Sequence, residues 1–150
     1  MKVKSKGDFQ VECSFQGVVE NIRIFSVLGK NIVQKFWPGD RNLAFDVELF
    51  LTEALSNAFI HAHGRNSGEK LGYKIGCKKG KLRISVFDCG KGFSLEHEIQ
   101  RNNLDPLVHH GRGLRIIQAL ADHLQYDRGT QRNQLVFEKD VSTEFVERPQ

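Results

Sequence analysis

The most regular segment of the chain is a helical pattern of apolar residues between Asp40 and Gly64. Apolar side chains recur there every three or four residues, which predicts an amphipathic helix with one face on a core. Asp40 is suited to cap the first turn of this helix, and Gly64 is suited to end it. The apolar stripe comprises Leu43, Val47, Phe50, Leu51, Ala54, Leu55, Ala58, Phe59 and Ala62.

Shorter patterns on either side of this helix predict a sheet and two further helices. Alternating apolar and polar residues predict strands at residues 9–15, 70–78, 81–88, 124–127 and 134–139. Helical spacing predicts helices at residues 18–36 and 113–124. Residues 89–111 are polar and contain glycines, so they predict a long, functional loop with a short helix near residues 95–100. The tail from Val141 is expected to be flexible.

The length and composition suit a single domain over residues 1–150, with its core at about residues 9–139. Apolar residues make up 39% of the 150 residues and charged residues 27%, which is typical of a soluble globular chain. No apolar stretch is long enough for a signal peptide or a membrane span, so we expect a cytoplasmic protein without membrane contact. The cysteines are odd in number and lack C-x-x-C spacing, which argues against a disulfide framework or a zinc site.

The formal net charge of +4 is compatible with a polyanionic partner, but the basic residues are scattered among acidic ones. The densest basic run is Lys78, Lys79, Lys81 and Arg83, which is predicted to form a turn and an exposed strand face. A nucleic-acid surface would need a basic stripe with interleaved aromatic residues. We therefore expect no direct DNA binding.

Polar residues follow one flank of the long helix. Glu53, Asn57 and His61 are four residues apart, so they are expected to share one side of it. A solvated face would explain Glu53 alone. An asparagine in mid-helix competes with the backbone for hydrogen bonds, so Asn57 calls for another explanation. Its amide oxygen is a hard, neutral ligand of the kind that Mg²⁺ accepts.

Two glycine-containing turns complete the set of motifs. Asp88-Cys89-Gly90-Lys91-Gly92 directly follows a strand, and its glycines allow a flat ligand to approach the backbone. Gly111-Arg112-Gly113-Leu114 opens a helix, where free N–H groups can bind phosphate. Each turn alone is weak evidence, because glycine is common in ordinary turns. The chain has no G-x-x-x-x-G-K-[ST] phosphate loop and no G-x-G-x-x-G after its first strand.

Taken together in this order, the three motifs resemble those of the Bergerat-fold (GHKL) ATPases and kinases. The segment E-A-L-S-N-A-F-I-H-A is similar to the N box of that superfamily, and D-C-G-K-G-F and H-G-R-G-L are similar to its two glycine boxes. Within the superfamily, the chain most resembles the anti-sigma-factor serine kinases of bacterial partner switching, the RsbW-like group. The resemblance covers about residues 9–139. It implies an α/β, two-layer sandwich with a mixed, mostly antiparallel sheet that about three helices cover on one face.

The resemblance also implies a role for each matching residue. Asn57 would coordinate Mg²⁺, Asp88 would bind the adenine amino group of ATP, and Gly90 and Gly92 would shape the adenine pocket. Glu53 would be the general base for an incoming serine hydroxyl or water. The lid over the phosphates would comprise Gly111, Arg112, Gly113 and Leu114. The implied partners are a STAS-type anti-anti-sigma protein, a sigma factor and a second copy of the chain.

The chain departs from the family pattern at two places. Val108-His109-His110 stands where related kinases often carry a lid arginine, and Arg112 is a possible substitute. Asn133-Gln134 stands where the family often has Gly-Thr at the start of its last strand. Two alternatives to a serine kinase stay open. One is a nucleotide-dependent module that sequesters a regulator without chemistry, and the other is a detached histidine-kinase catalytic domain, against which the lack of a phosphoacceptor helix pair counts.

Overall fold

The structure, a computed structural model, describes residues 2–5, 8–62, 70–89, 96, 112–129 and 132–141. Its strands are β1 (Lys2–Ser5), β2 (Asp8–Gln16), β3 (Lys70–Lys78), β4 (Lys81–Asp88), β5 (His123–Arg128) and β6 (Asn133–Asp140). Its helices are α1 (Val19–Phe36), α2 (Arg41–Asn57) and α3 (Arg112–Leu120), and a π-helical turn (Ala58–Ala62) follows α2. The expected helix near residues 95–100 lies outside the described residues apart from Glu96, and so does the tail beyond Val141.

The six strands form one sheet in the order β1-β2-β3-β4-β6-β5, and each neighbouring pair is antiparallel. The predicted two-layer α/β sandwich with a mostly antiparallel sheet is confirmed. Strand β1 was not predicted, because Lys2–Ser5 contains one apolar residue and so lacks an alternating pattern. The turn between β3 and β4 was predicted correctly. Lys79 and Gly80 both have positive φ, 52° and 74°, as a two-residue hairpin turn that matches strand twist requires.

The helices cover one face of the sheet. A Cβ atom at Gly29 of α1 would collide with the Leu51 side chain of α2, so the glycine allows the two helices to pack closely above β3. The Tyr73 hydroxyl donates a hydrogen bond of 2.7 Å to the Phe25 carbonyl of α1, which ties β3 to that helix. The buried strand residues on this face are Phe9, Phe15, Leu71, Tyr73, Ile75, Cys77, Leu82, Ile84, Val86, Leu135 and Phe137. The central strands alternate these residues with mostly polar and charged ones on the opposite face, where Phe87 and Val136 are the buried apolar exceptions.

The ends of α2 differ in how well they were predicted. Asp40 caps the first turn as expected, since its carboxylate accepts a 2.9 Å hydrogen bond from the Leu43 N–H. The prediction of one continuous α-helix to Gly64 is wrong in its last part. Regular α-geometry ends at Asn57, and Ala58–Ala62 form a π-helical turn. Periodicity could not reveal this change, because the apolar stripe continues through both segments.

The predicted helix at residues 113–124 is also too long, since α3 ends at Leu120. Leu124 instead pairs with Phe137 in the β5–β6 ladder. The Asp122 N–H donates to the Glu138 carbonyl over 2.9 Å, which turns the chain into β5 immediately after the helix. Apolar spacing alone extended the helix into the strand, because Ala121 and Leu124 suit either structure.

Candidate functional site

Two contacts establish how α2 runs across the sheet. Near the start of α2, the Lys139 Nζ of β6 lies 3.1 Å from the Asp46 Oδ2 atom. One turn later, the Phe50 ring packs against the Phe137 ring with a centroid distance of 4.9 Å. Moving along α2 toward its C-terminus therefore means moving along β6 toward its N-terminus.

The same direction leads to the polar residues that end both elements. From Phe50 to Asn57, α2 rises about 10 Å, and from Phe137 to Asn133, β6 spans about 13 Å. Asp88, the last residue of β4, pairs directly with Asn133. The π-helical turn that follows Asn57 also contacts β4. Asn57, Asp88 and Asn133 therefore lie at one end of the helix–sheet layer, which we call the polar end.

Asn57 is a buried amide with an unsatisfied donor. Its side chain is only 6% exposed, and its Nδ2 atom has no hydrogen-bond partner. Leaving a buried donor unpaired costs about 1–3 kcal/mol, so such groups are rare unless a ligand completes them. Rotation of the side-chain amide by about 180° exchanges the positions of its oxygen and its nitrogen. Asn57 can therefore present either a donor or an acceptor to a ligand.

The π-helical turn begins immediately after Asn57. Single π-helical turns are rare and occur frequently at functional sites, because they change which side chains face the site. Glu53 and Asn57 both lie within the α-helical part, so the predicted four-residue spacing holds for this pair. His61 lies in the π-helical turn, so its expected place on the same side stays a prediction. The side chain of His61 is outside the described residues.

Asp88 and Asn133 form a buried polar pair at the end of β4. Asp88 is 3% exposed and Asn133 is 3% exposed. The Asn133 Nδ2 atom donates a hydrogen bond of 3.1 Å to Asp88 Oδ1. Hydrogen bonds to charged groups contribute about 1.5–3 kcal/mol, so Asn133 helps to fix the orientation of this carboxylate. The sequence placed Asn133 at the family's Gly-Thr position but did not predict its bond to Asp88, which depends on strand register.

The remaining predicted site residues are distributed between the described helices and the rest of the chain. Glu53 is half-buried on α2, one turn before Asn57. Arg112 and Gly113 form the first turn of α3, and Leu114 is fully buried in the core. Gly90, Gly92 and Gly111 lie outside the described residues, as do His109 and His110.

Helix α3 is fixed at its C-terminal end. Lys139 Nζ donates to the Leu120 carbonyl over 3.3 Å while it also contacts Asp46, so one ammonium group joins α3, α2 and β6. The helix rises about 12 Å from Leu120 back to Arg112. The free N–H groups at the start of α3 therefore lie about 12 Å from the hydrogen bond between Lys139 and Leu120.

Within the described part of the chain, no group of three or more His, Cys, Asp or Glu side chains could hold a metal ion. A Mg²⁺ ion does not need such a cage, since it usually keeps several waters and binds one or two protein groups together with substrate phosphates. The buried, incompletely bonded amide of Asn57 fits that role. Asp88 and Asn133 offer a carboxylate and an amide for an adenine base.

Comparison with known proteins decides the family. Residues 22–139 match the family described as "Histidine kinase-like ATPase domain". The chain belongs to this family. The predicted membership of the Bergerat-fold superfamily is thereby confirmed, and the histidine kinase-like ATPase domain implies binding of ATP and an ATP-dependent kinase or ATPase activity. The matched region extends from α1 to β6 and includes Asn57, Asp88 and Asn133.

A search of curated proteins found no match to this chain. Among the helices in the described ranges, none has the length and apolar character to cross a membrane.

Proposed function

We propose that the chain is a Mg²⁺-dependent and ATP-dependent protein-serine kinase and anti-sigma factor. Its substrate would be a small STAS-type anti-anti-sigma protein in a bacterial partner-switching system, and it would capture a sigma factor as a cytoplasmic homodimer. The observation that carries the kinase proposal is the pair on α2. The half-buried carboxylate of Glu53 precedes the buried amide of Asn57, whose Nδ2 atom has no hydrogen-bond partner, by one helical turn.

The residues of the polar end and the first turn of α3 would each bind a different part of ATP. Asp88 would accept a hydrogen bond from the adenine amino group, and Asn133 would keep that carboxylate oriented through its 3.1 Å hydrogen bond. The first-turn N–H groups of α3, at Arg112 and Gly113, would bind the phosphates. Asn57 would hold Mg²⁺, which neutralises phosphate charge when it is bound.

Glu53 would act on the phosphate acceptor. A serine hydroxyl is a weak nucleophile until a base accepts its proton, and a carboxylate does so if it lies within hydrogen-bond distance. Phosphoryl transfer depends mainly on positioning and charge neutralisation, so Glu53 need only be placed beside the acceptor. Its place on the same rigid helix as Asn57 fixes the separation between base and metal ligand.

The kinase proposal is tested by labelling the candidate partner with radioactive ATP. A purified STAS-type protein from the same genome is incubated with the chain, Mg²⁺ and γ-labelled ATP. We expect acid-stable label on serine, and a loss of at least about 10²-fold in rate for Glu53→Gln. Glu48→Gln is the matched control, because Glu48 lies on the same helix and pairs with Lys30 at 3.1 Å on the other side.

Three results would contradict the kinase proposal. Label that is lost in acid would indicate phosphohistidine and a histidine-kinase role. Equal rates for Glu53→Gln and the wild type would remove Glu53 from the chemistry. ATP binding without any transfer would favour the second candidate, a nucleotide-dependent module that sequesters a sigma factor. The presence of Val108-His109-His110 at the lid-arginine position is the observation that favours this module.

A further inference from the structure

The open face of the sheet contains a depression centred on Gly76 of β3. On this face, the neighbours of Gly76 along its own strand are Lys74 and Lys78. Arg83 of β4 is directly opposite on one side, and Gln10 of β2 is directly opposite on the other. Directly paired side chains begin about 5 Å apart, and i±2 neighbours on one strand begin about 7 Å apart. The missing side chain of Gly76 therefore leaves a hole with cationic side chains on three sides and Gln10 on the fourth.

The hole is part of a cavity of about 380 Å³ that also includes Lys81, the partner of Lys78 in the hairpin. A cavity of this volume lies within the range of small-molecule sites. Arg132 also lines the cavity, and its guanidinium group stacks 4.4 Å from the centre of the Phe87 ring. We call this cavity the Gly76 groove.

The positive charge of the Gly76 groove is only partly neutralised, although Glu12 is directly opposite Lys74 and Asp140 is directly opposite Lys81 in the sheet. Arg83 lies 3.8 Å from Glu138 and Arg132 lies 3.8 Å from Glu12, so both ion pairs are loose. The Glu12 pair is solvent-exposed, whereas the Glu138 side chain is only 20% exposed. The lysines of the groove, Lys74, Lys78 and Lys81, have no ion pair with any residue that the structure describes. One lining carboxylate, Asp8, accepts the Lys79 N–H over 3.2 Å.

We propose that the Gly76 groove binds a compact polyphosphate group. Its cations surround one point on two adjacent strands, so they converge on a small, highly charged ligand. A nucleic-acid site would instead follow an extended backbone with a stripe of cations. A symmetric dimer contact centred on Gly76 would place these cations against their own copies, which is unfavourable. The groove lies on the face opposite the helices, so this proposal is independent of the kinase proposal.

The test uses inorganic tripolyphosphate and isothermal titration calorimetry at low ionic strength, with EDTA present so that no Mg²⁺-dependent nucleotide binding contributes. The groove variant is Lys74→Gln/Arg83→Gln. The matched control is Arg23→Gln/Lys35→Gln, which removes the same charge from exposed positions of α1. We expect the wild type and the control to bind alike and the groove variant to bind at least about tenfold more weakly. Binding should also weaken as salt is added.

A second variant tests the hole itself. The Cβ atom of Gly76→Ala would lie 3.3 Å from the Phe9 carbonyl oxygen, so a slight adjustment should accommodate it, and its methyl group would fill the floor of the groove. We expect weaker tripolyphosphate binding with a cooperative melting transition retained. Phosphoryl transfer to the protein substrate should be unchanged in the groove variant, which separates this test from that of the kinase.

Parallel titrations identify the source of the phosphates. Binding of Mg²⁺-free ATP that is lost in the groove variant would assign a nucleotide, whereas binding of tripolyphosphate alone would assign a free polyphosphate. The proposal is overturned if the wild type does not bind tripolyphosphate, or if the groove variant binds it as well as the wild type. Tighter, groove-dependent binding of a single-stranded oligonucleotide would also overturn it, in favour of nucleic acid.

Discussion

Asn57→Ala should stabilise the nucleotide-free protein and abolish its response to Mg²⁺ and ATP. The substitution removes a buried donor whose missing partner costs about 1–3 kcal/mol. It also replaces asparagine by the best helix former, a gain of about 0.5 kcal/mol. The smaller side chain makes fewer packing contacts, which we expect to lower the free energy of unfolding by about 1 kcal/mol. The net expectation is an increase of about 1 kcal/mol in the free energy of unfolding, or about 2–4 °C in Tm for a domain of this size.

Asn133→Ala is the matched control, because Asn133 is an equally buried asparagine with its Nδ2 atom bonded. Its loss leaves the Asp88 carboxylate without the 3.1 Å hydrogen bond, so we expect destabilisation of about 1.5–3 kcal/mol. The assay is urea denaturation of both variants without nucleotide, followed by thermal melts with and without Mg²⁺ and ATP. Saturating ligand at about 100 times Kd should stabilise the wild type by about 2.7 kcal/mol and leave Asn57→Ala unchanged. Destabilisation of nucleotide-free Asn57→Ala by more than 1 kcal/mol, together with a normal nucleotide response, would refute the reasoning.

Two further predictions concern the rest of the fold. Burial raises the pKa of the Cys13 and Cys77 thiols, so little reactive thiolate forms there at neutral pH. A thiol reagent should therefore modify the exposed Cys89 first, and peptide mass spectrometry would show the order of labelling. Equal labelling rates for the three cysteines would contradict this difference in reactivity. The stabilisation linked to both buried thiols should be complete below the ordinary thiol pKa and should decrease as the pH rises through their raised pKa values. Asp46→Ala leaves the part-buried Lys139 ammonium with the Leu120 carbonyl as its one partner among the described residues. We therefore expect the free energy of unfolding to fall by about 2–3 kcal/mol in urea denaturation. An unchanged midpoint would show that this contact does not hold α3 in place.

Periodicity predicted those parts of the fold that rest on regular burial. The stripe from Leu43 to Leu55 and the alternation in β2, β3 and β4 follow directly from which side chains reach the core. The π-helical turn after Asn57 and the early end of α3 at Leu120 depend on local backbone hydrogen bonding. An apolar pattern that suits two geometries cannot distinguish between them.

The candidate site was predicted through motifs, and its missing parts depend on register. Asn57 and Asp88 were expected at the site and lie at the same end of the helix–sheet layer. The bond from Asn133 to Asp88 requires that β6 pair with β4 in one register, which a single strand pattern does not specify. The Gly76 groove was missed for the same reason. The basic run at residues 78–83 was visible, but its convergence with Lys74 around a glycine requires the pairing of β3 with β4.

Calorimetric titration of the folded chain with ATP, with and without Mg²⁺, tests the central claim most directly. If Asn57, Asp88 and the first turn of α3 form one nucleotide site, the wild type should bind one ATP per chain with higher affinity when Mg²⁺ is present. Asn57→Ala should remove the effect of Mg²⁺. The absence of any binding heat or thermal shift at millimolar nucleotide, or an equal affinity with and without Mg²⁺, would contradict the account.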